Sequence, residues 1–235
     1  MNTASSKTFA DRPCAVVFDM DGLMFNTEEL YELVARTILQ RRGKICTGEL
    51  LDAMMGRQPP IAIQIMIDWH ALEDTVGDIA GETERLFAEI LDDRLTMMPG
   101  LAELLDATET AGVRKAIATS SGRKFVRSVL ARFQLERRFE FVLTAEDVVQ
   151  SKPHPEIYLT AADRLGLAPR QTMVLEDSEA GCRAASTAGA FTVAVPHGQS
   201  RTHRFDGAEF VADSLADPRI YAALGLIAPR CVRPA

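Results

Sequence analysis

Val16-Val17-Phe18-Asp19-Met20-Asp21-Gly22 is the stretch on which the reading of the whole chain turns. The apolar run, with Pro13 behind it and Gly22 ahead, reads as a buried strand that carries two carboxylates to its C-terminal tip. Open α/β sheets bind their ligands at that end. Acids at i and i+2 on extended backbone project to the same side. If the chain turns at Gly22, both crowd into one crest, where their repulsion calls for a cation or a proton. Hard oxygen donors of this kind suit Mg²⁺, which keeps some of its water and works beside phosphate. Asp and Gly are equally at home in an ordinary acidic turn, so the rest of the chain has to decide.

Working outward, 235 residues are enough for a full core and one smaller insert. A hydrophobic content of 47% with 25% charged residues is that of a globular domain. No stretch approaches the roughly 18 consecutive apolar residues of a membrane span, and residues 1–12 read as a polar, loose tail without a secretory signal. The net charge of −7 argues against a nucleic-acid polymer as partner, without excluding a small anionic substrate. Cys14, Cys46, Cys182 and Cys231 are scattered, with no C-x-x-C pair, and read as reduced thiols of a cytoplasmic protein.

After the first strand comes a helical pattern from about Glu28 to Arg42, with Thr27 as its cap, Leu30, Val34 and Ile38 at helical spacing, and Gly43 as its stop. Further helical stretches follow near Thr47 to Met55, Pro60 to His70 and Gly81 to Leu95. Strand signals are absent from Thr27 to Leu95, so this part reads as an all-helical insert, with Trp69 packed inside it. Beyond Pro99-Gly100 helices alternate with apolar strands at Arg114 to Thr119, Phe139 to Thr144, Thr172 to Leu175, Phe191 to Val195 and Glu209 to Val211. That rhythm implies an α/β fold with a parallel sheet covered on both faces.

Polar residues recur where these strands end. Thr119-Ser120-Ser121-Gly122 offers hydroxyls and freely turning N–H groups ahead of a helix, an arrangement that suits an anion or a simple helix cap. Lys152 sits in a loop stiffened by Pro153 and Pro155, and Glu176-Asp177 closes another strand. Together the four stretches suit phosphoryl transfer: Asp19 attacks phosphorus, a metal and Lys152 neutralise the equatorial oxygens, and Thr119 with nearby N–H groups holds them.

With these four stretches in this order, the chain resembles the haloacid dehalogenase superfamily of phosphatases and phosphomutases, in the branch with a helical cap inserted after the first motif. Asp19-Met20-Asp21-Gly22 matches the first motif, Thr119 or its neighbour Ser120 the second, Lys152 the third and Glu176-Asp177 the fourth. The resemblance covers about residues 14 to 212 and implies a Rossmann-like core from residues 13–27 and 96–235 with a movable cap over 28–95. It also implies Asp19 as nucleophile, Asp21 as acid and base, and a Mg²⁺ cofactor held by Asp19, Asp21, Asp177 and Glu176. Asp21 separates the branches, because a halide needs no proton to leave and a phosphate ester does.

Three departures narrow the function further. Asn26-Thr27-Glu28 stands where relatives often carry an Asp at the first position, and Tyr31 stands near the position where β-phosphoglucomutase-like members have a His. Met55 and Pro59 occupy positions where those mutases carry a Lys and an Arg around the cap glycine. The reading is therefore a phosphatase of a small phosphorylated metabolite, a sugar phosphate or nucleotide, working as monomer or homodimer with no membrane partner. A phosphosugar mutase and a non-catalytic phosphometabolite binder are the alternatives. Arg57, Tyr31, Arg123 and Lys124 are the expected substrate contacts beyond Thr119, Ser120 and Lys152, whereas His154, His197 and His203 read as plain loop residues.

Overall fold

A computed structural model describes residues 12–55 and 57–228. Among them, six strands form one wholly parallel sheet: β1 (Ala15–Phe18), β2 (Arg114–Ala118), β3 (Val142–Leu143), β4 (Thr172–Glu176), β5 (Phe191–Ala194) and β6 (Phe210–Val211). They lie in the order β3-β2-β1-β4-β5-β6. This is the Rossmann-like order, with the topological switch at β1, where the chain first builds outward to one side and then crosses to the other. Every residue of β1 is buried, as expected for a central strand covered on both faces.

Alternation along β1 divides the apolar residues between two cores. Val16 and Phe18 join Ile117, Met173, Leu175 and Val193 on one face. Ala15 and Val17 join Ala116, Ala118 and Val174 on the other, where helices α7 (Glu156–Leu165) and α8 (Glu179–Thr187) pack close through small side chains such as Ala161, Ala184 and Ala185. Helices α5 (Leu101–Thr110) and α6 (Arg123–Arg132) add Leu101, Leu104, Leu105, Val126 and Val129 to the first core.

Between β1 and α5 lie α1 (Thr27–Arg41), α2 (Gly48–Met54), α3 (Pro59–His70) and α4 (Val76–Arg94). Some local details differ from expectation. Thr27 does not cap α1: it is the first helical residue, fully buried, after an Asn26 that makes no side-chain cap bond. Helix α4 begins five residues before the expected Gly81, because Thr75 and Asp78 form a reciprocal capping box that outweighs the glycines. The strand expected over Phe139 to Thr144 shrinks to Val142–Leu143, and Phe139 instead packs edge-on against Phe18 at 5.8 Å between centroids. Trp69 is 47% exposed on the outer side of α3, not packed inside the helical insert.

Of the expected tail only Arg12 is described, and its guanidinium donates to the carbonyls of Ala222 and Ala223 at the end of α9 (Pro218–Leu224). That helix escaped the sequence reading although Asp217 caps it and Pro218 starts it. Cys14, Cys46 and Cys182 are free thiols, while Cys231 lies outside the described residues. No described helix is long and apolar enough to cross a membrane.

Candidate active site

Register brings the polar strand ends together. Phe18 is aligned with Ile117 on one side and Leu175 on the other, so the next positions along the row are Asp19, Ala118 and Glu176, and Thr119 and Asp177 follow one residue further. The Asp19 N–H still donates to the Leu175 carbonyl at 3.0 Å and the Thr119 N–H to the Leu143 carbonyl at 3.0 Å, so sheet bonding fixes where both side chains start.

Lys152 reaches this crest from a loop on the far side of the chain. Its ammonium donates to Asp19 Oδ1 at 2.5 Å, Glu176 Oε1 at 2.7 Å and the Ala118 carbonyl at 3.1 Å, with every partner buried. All three of its protons are therefore used. Burial works against the charge on Lys152, yet Asp19 and Glu176 outweigh it and hold the ammonium above its ordinary range. Glu176 is more heavily engaged still: Tyr158 donates its hydroxyl to Oε1 at 2.6 Å, and Ser178 donates N–H and Oγ–H to Oε2 at 3.2 and 3.0 Å. A side chain at Gly181 would strike the Glu176 carboxylate, so the glycine in the first turn of α8 makes room for it.

Asp21 is held from the second strand end. Its Oδ2 accepts from Thr119 Oγ1 at 2.9 Å and Ser121 Oγ at 2.7 Å. Thr119 Oγ1 in turn accepts the Ser121 N–H at 3.0 Å, which commits its own proton to Asp21. Asp21 Oδ1 is buried without a partner, so one oxygen is fixed and the other makes no hydrogen bond. Gly22 sits at φ +78°, and any Cβ there would collide with the Asp177 carboxylate. The turn that brings Asp21 into the crest thus depends on that glycine.

Carboxylate oxygens of Asp19, Glu176 and Asp177 lie within 4.8 Å of one another. Burial pushes the Asp19 carboxyl up, opposed by Lys152, and burial together with Glu176 pushes Asp177 up. Glu28, in the first turn of α1, is pushed up to about 7 by burial and then by the charges of Asp21 and Glu176. The carboxyl groups of Asp19, Asp21, Glu28, Glu176 and Asp177 thus crowd one crest, and two of them, Asp19 and Glu176, meet the ammonium of Lys152. This hard-oxygen, charge-deficient set fits a divalent cation. Because Glu176 is already saturated by Lys152, Tyr158 and Ser178, Asp19 and Asp177 are the better placed ligands.

Above the crest is a cavity of about 190 Å³ between core and helical insert, and Thr119, Ser120, Arg57 and Tyr31 all line it. Tyr31 also lies tilted against Phe87 of α4 and meets Phe125 of α6, at centroid distances of 4.4 and 6.2 Å, and so packs insert against core. Arg123 stands apart from the cavity: its guanidinium is spent on Asp147 at 2.9 Å. Lys124 is exposed and likewise outside the lining. Asn26 crosses between the two chain segments that join insert to core, donating to the Arg94 carbonyl at 3.1 Å and accepting from Thr96 N–H at 2.7 Å. His197 and His203 are loop residues as read, but each faces an acid of the insert, Glu29 at 3.1 Å and Asp52 at 3.3 Å.

Sequence reasoning passed over Ser121, Glu28, Tyr158 and Ser178. Ser121 was legible as the third hydroxyl of its run, and Glu28 as an acid nine residues after Asp19 at a helix start. Tyr158 carries no such signal, since its role exists only through the packing of α7 against β1 and β2, which brings its hydroxyl to Glu176 at the end of β4.

Residues 16–195 match the family model of haloacid dehalogenase-like hydrolases. The chain is 32% identical over 179 residues to a phosphorylated carbohydrates phosphatase of Thermotoga maritima, covering 74% of this chain and 81% of that one. It is 34% identical over 207 residues to a Drosophila melanogaster protein named probable pseudouridine-5'-phosphatase, covering 86% and 89%. The crystal structure of CbbY from Rhodobacter sphaeroides in complex with phosphate superposes with a TM-score of 0.75 at 26% identity, covering 86% of this chain and 95% of the other.

Proposed function

The chain belongs to the haloacid dehalogenase-like hydrolase family, and from that premise we propose that it is a Mg²⁺-dependent phosphatase of a small phosphorylated metabolite. The observation that carries the reading is the asymmetry of Asp21 beside a buried Asp19–Lys152 pair: one Asp21 oxygen is clamped by two hydroxyls, and the other is buried and unpartnered. A pure binding site has no use for an acid held ready in that way.

In this reading Asp19 Oδ attacks phosphorus and displaces the alcohol, forming an aspartyl phosphate. Asp21 Oδ1 gives its proton to the departing oxygen and then takes one from the water that attacks the acyl phosphate. Lys152 holds Asp19 in line, and its charge, together with the Ser120 N–H, offsets that on the transferring oxygens, while Thr119 lines the phosphoryl site and clamps Asp21. Asp19, Asp177 and the Asp21 carbonyl would hold the Mg²⁺, with Glu176 behind them, and the ion supplies further charge neutralisation at the phosphoryl group. Helices α1–α4 act as the cap that excludes bulk water. The apolar Met55 and Pro59 on the cavity wall count against a mutase, which must hold a second phosphate there.

Phosphate release from a panel of phosphorylated metabolites, with and without Mg²⁺, tests this directly. Release should require metal and fall at least ~10³-fold in Asp19→Asn, the scale on which loss of a covalent nucleophile acts. Turnover of that variant at the wild-type rate would refute the nucleophile.

A further inference from the structure

The cavity has two unlike halves. Its floor carries the polar groups that take the phosphoryl group. Its roof is apolar, built from Val34 and Ile38 of α1, Leu51 and Met54 of α2, and Ile63 and Met66 of α3. Except for the half-buried Met54, none of these six is more than 8% exposed. The space they enclose with the floor is about 190 Å³. For scale, an apolar protein cavity of about 150 Å³ takes up benzene, and because the 190 Å³ here also has to hold the phosphoryl group, the room left suits one small ring at most.

Charge on the remaining wall points the same way. Glu28, Glu29 and Glu32, all on α1, line the cavity. Among the described lining residues Arg57 is the one arginine or lysine outside the floor, and His197 is already paired with Glu29. Glu32 carries its own arginine, Arg36 at 2.7 Å, and Glu29 faces His197, so a second phosphate would still meet the carboxyl groups of α1 while Arg57 is the one lining arginine that could receive it. Sugar hydroxyls turned toward the six apolar side chains of the roof would lose water without gaining partners, and only those turned toward the α1 acids or Arg57 would be satisfied. A ring-sized apolar body would lose only its own apolar hydration, which is favourable.

We propose that the substrate is a phosphate monoester whose leaving alcohol carries one ring-sized apolar body and no second anionic group. The proposal rests on the phosphatase reading above and narrows it.

Benzyl phosphate and glucose 6-phosphate both expel a primary alkoxide, so the difference between them reports on the cavity and not on leaving-group chemistry. The expected result is a kcat/KM for benzyl phosphate at least ~10-fold above that for glucose 6-phosphate, the gain of burying one aromatic side chain, with glucose 1,6-bisphosphate slowest. Acetyl phosphate, which has no ring, serves as the check on hydrolysis itself. Turnover of acetyl phosphate with glucose 6-phosphate equal to or better than benzyl phosphate would overturn the substrate class and leave the phosphatase standing. Failure with every substrate, acetyl phosphate included, would overturn the phosphatase. Calorimetric titration would then decide the cavity separately: benzylphosphonate binding at least ~10-fold tighter than methylphosphonate supports the apolar subsite, and equal affinity refutes it.

Discussion

Removing metal and raising the pH should weaken the fold, because the crest concentrates acids that burial keeps from ionising. Glu28 is the group from which a magnitude follows. It is held at about 7 in the folded chain, against an ordinary value of 4.5. A folded-state value above the unfolded one means that the folded chain binds the proton more tightly. The resulting stabilisation is complete below about pH 4.5 and is lost as the pH rises through about 7. At 1.36 kcal/mol per pH unit, Glu28 contributes up to about 3 kcal/mol to that loss. Asp19 and Asp177, pushed up in the same direction, deepen it. Carboxylates held low by arginines, such as Glu109 at about 2, lose their stabilisation only at more acid pH and do not blur the window. Urea unfolding in EDTA at pH 5, 6, 7 and 8 reads the effect directly, and Glu28→Gln, which cannot ionise, should flatten the curve by about the same 3 kcal/mol. Adding Mg²⁺ should stabilise the protein more at pH 8 than at pH 5, since the cation binds the ionised acids of the folded state. Stability that stays level or rises from pH 5 to 8 in EDTA would refute the electrostatic account of the crest.

Two further substitutions separate the roles of individual side chains. Tyr158→Phe deletes the buried 2.6 Å hydrogen bond to Glu176, so it should cost about 1.5–3 kcal/mol in urea unfolding, the range for a bond to a charged group, and lower kcat more than KM because Lys152 loses its backing. Asn26→Asp keeps the acceptor for Thr96 N–H but faces the Arg94 carbonyl with a carboxylate in place of a donor. It should cost about 1 kcal/mol by the same measurement, whereas an unchanged midpoint would show that the bridge between core and insert carries no stability.

Asn26 is a departure visible in sequence whose effect the sequence leaves open. Read along the chain, it is one negative charge fewer near a metal. Read in space, it is an amide that must donate and accept at once to join segments about 70 residues apart, which an aspartate cannot do. Arg123 shows the converse, since proximity to Thr119 in sequence says nothing of the Asp147 that its guanidinium meets. Trp69 fell to an assumption that a lone large aromatic is enclosed, although α3 is apolar over much of its surface and has to turn some of that outward.

The sequence by itself determined the α/β fold and the order of its reactive strand ends, because both are written in local pattern: apolar runs of strand length, helical spacing between them, and Asp, Thr and Asp where the runs stop. It also carried the family, through motifs in a definite order. Which groups meet was decided only by tertiary structure. Lys152 and Asp19 are 133 residues apart and touch because parallel register and a crossover to the other side of β1 place them there. The same packing recruits Tyr158 and Glu28 to the crest and leaves Arg123 out. Side-chain contacts of this kind depend on register, burial and helix docking, each a property of the assembled sheet and of no single segment.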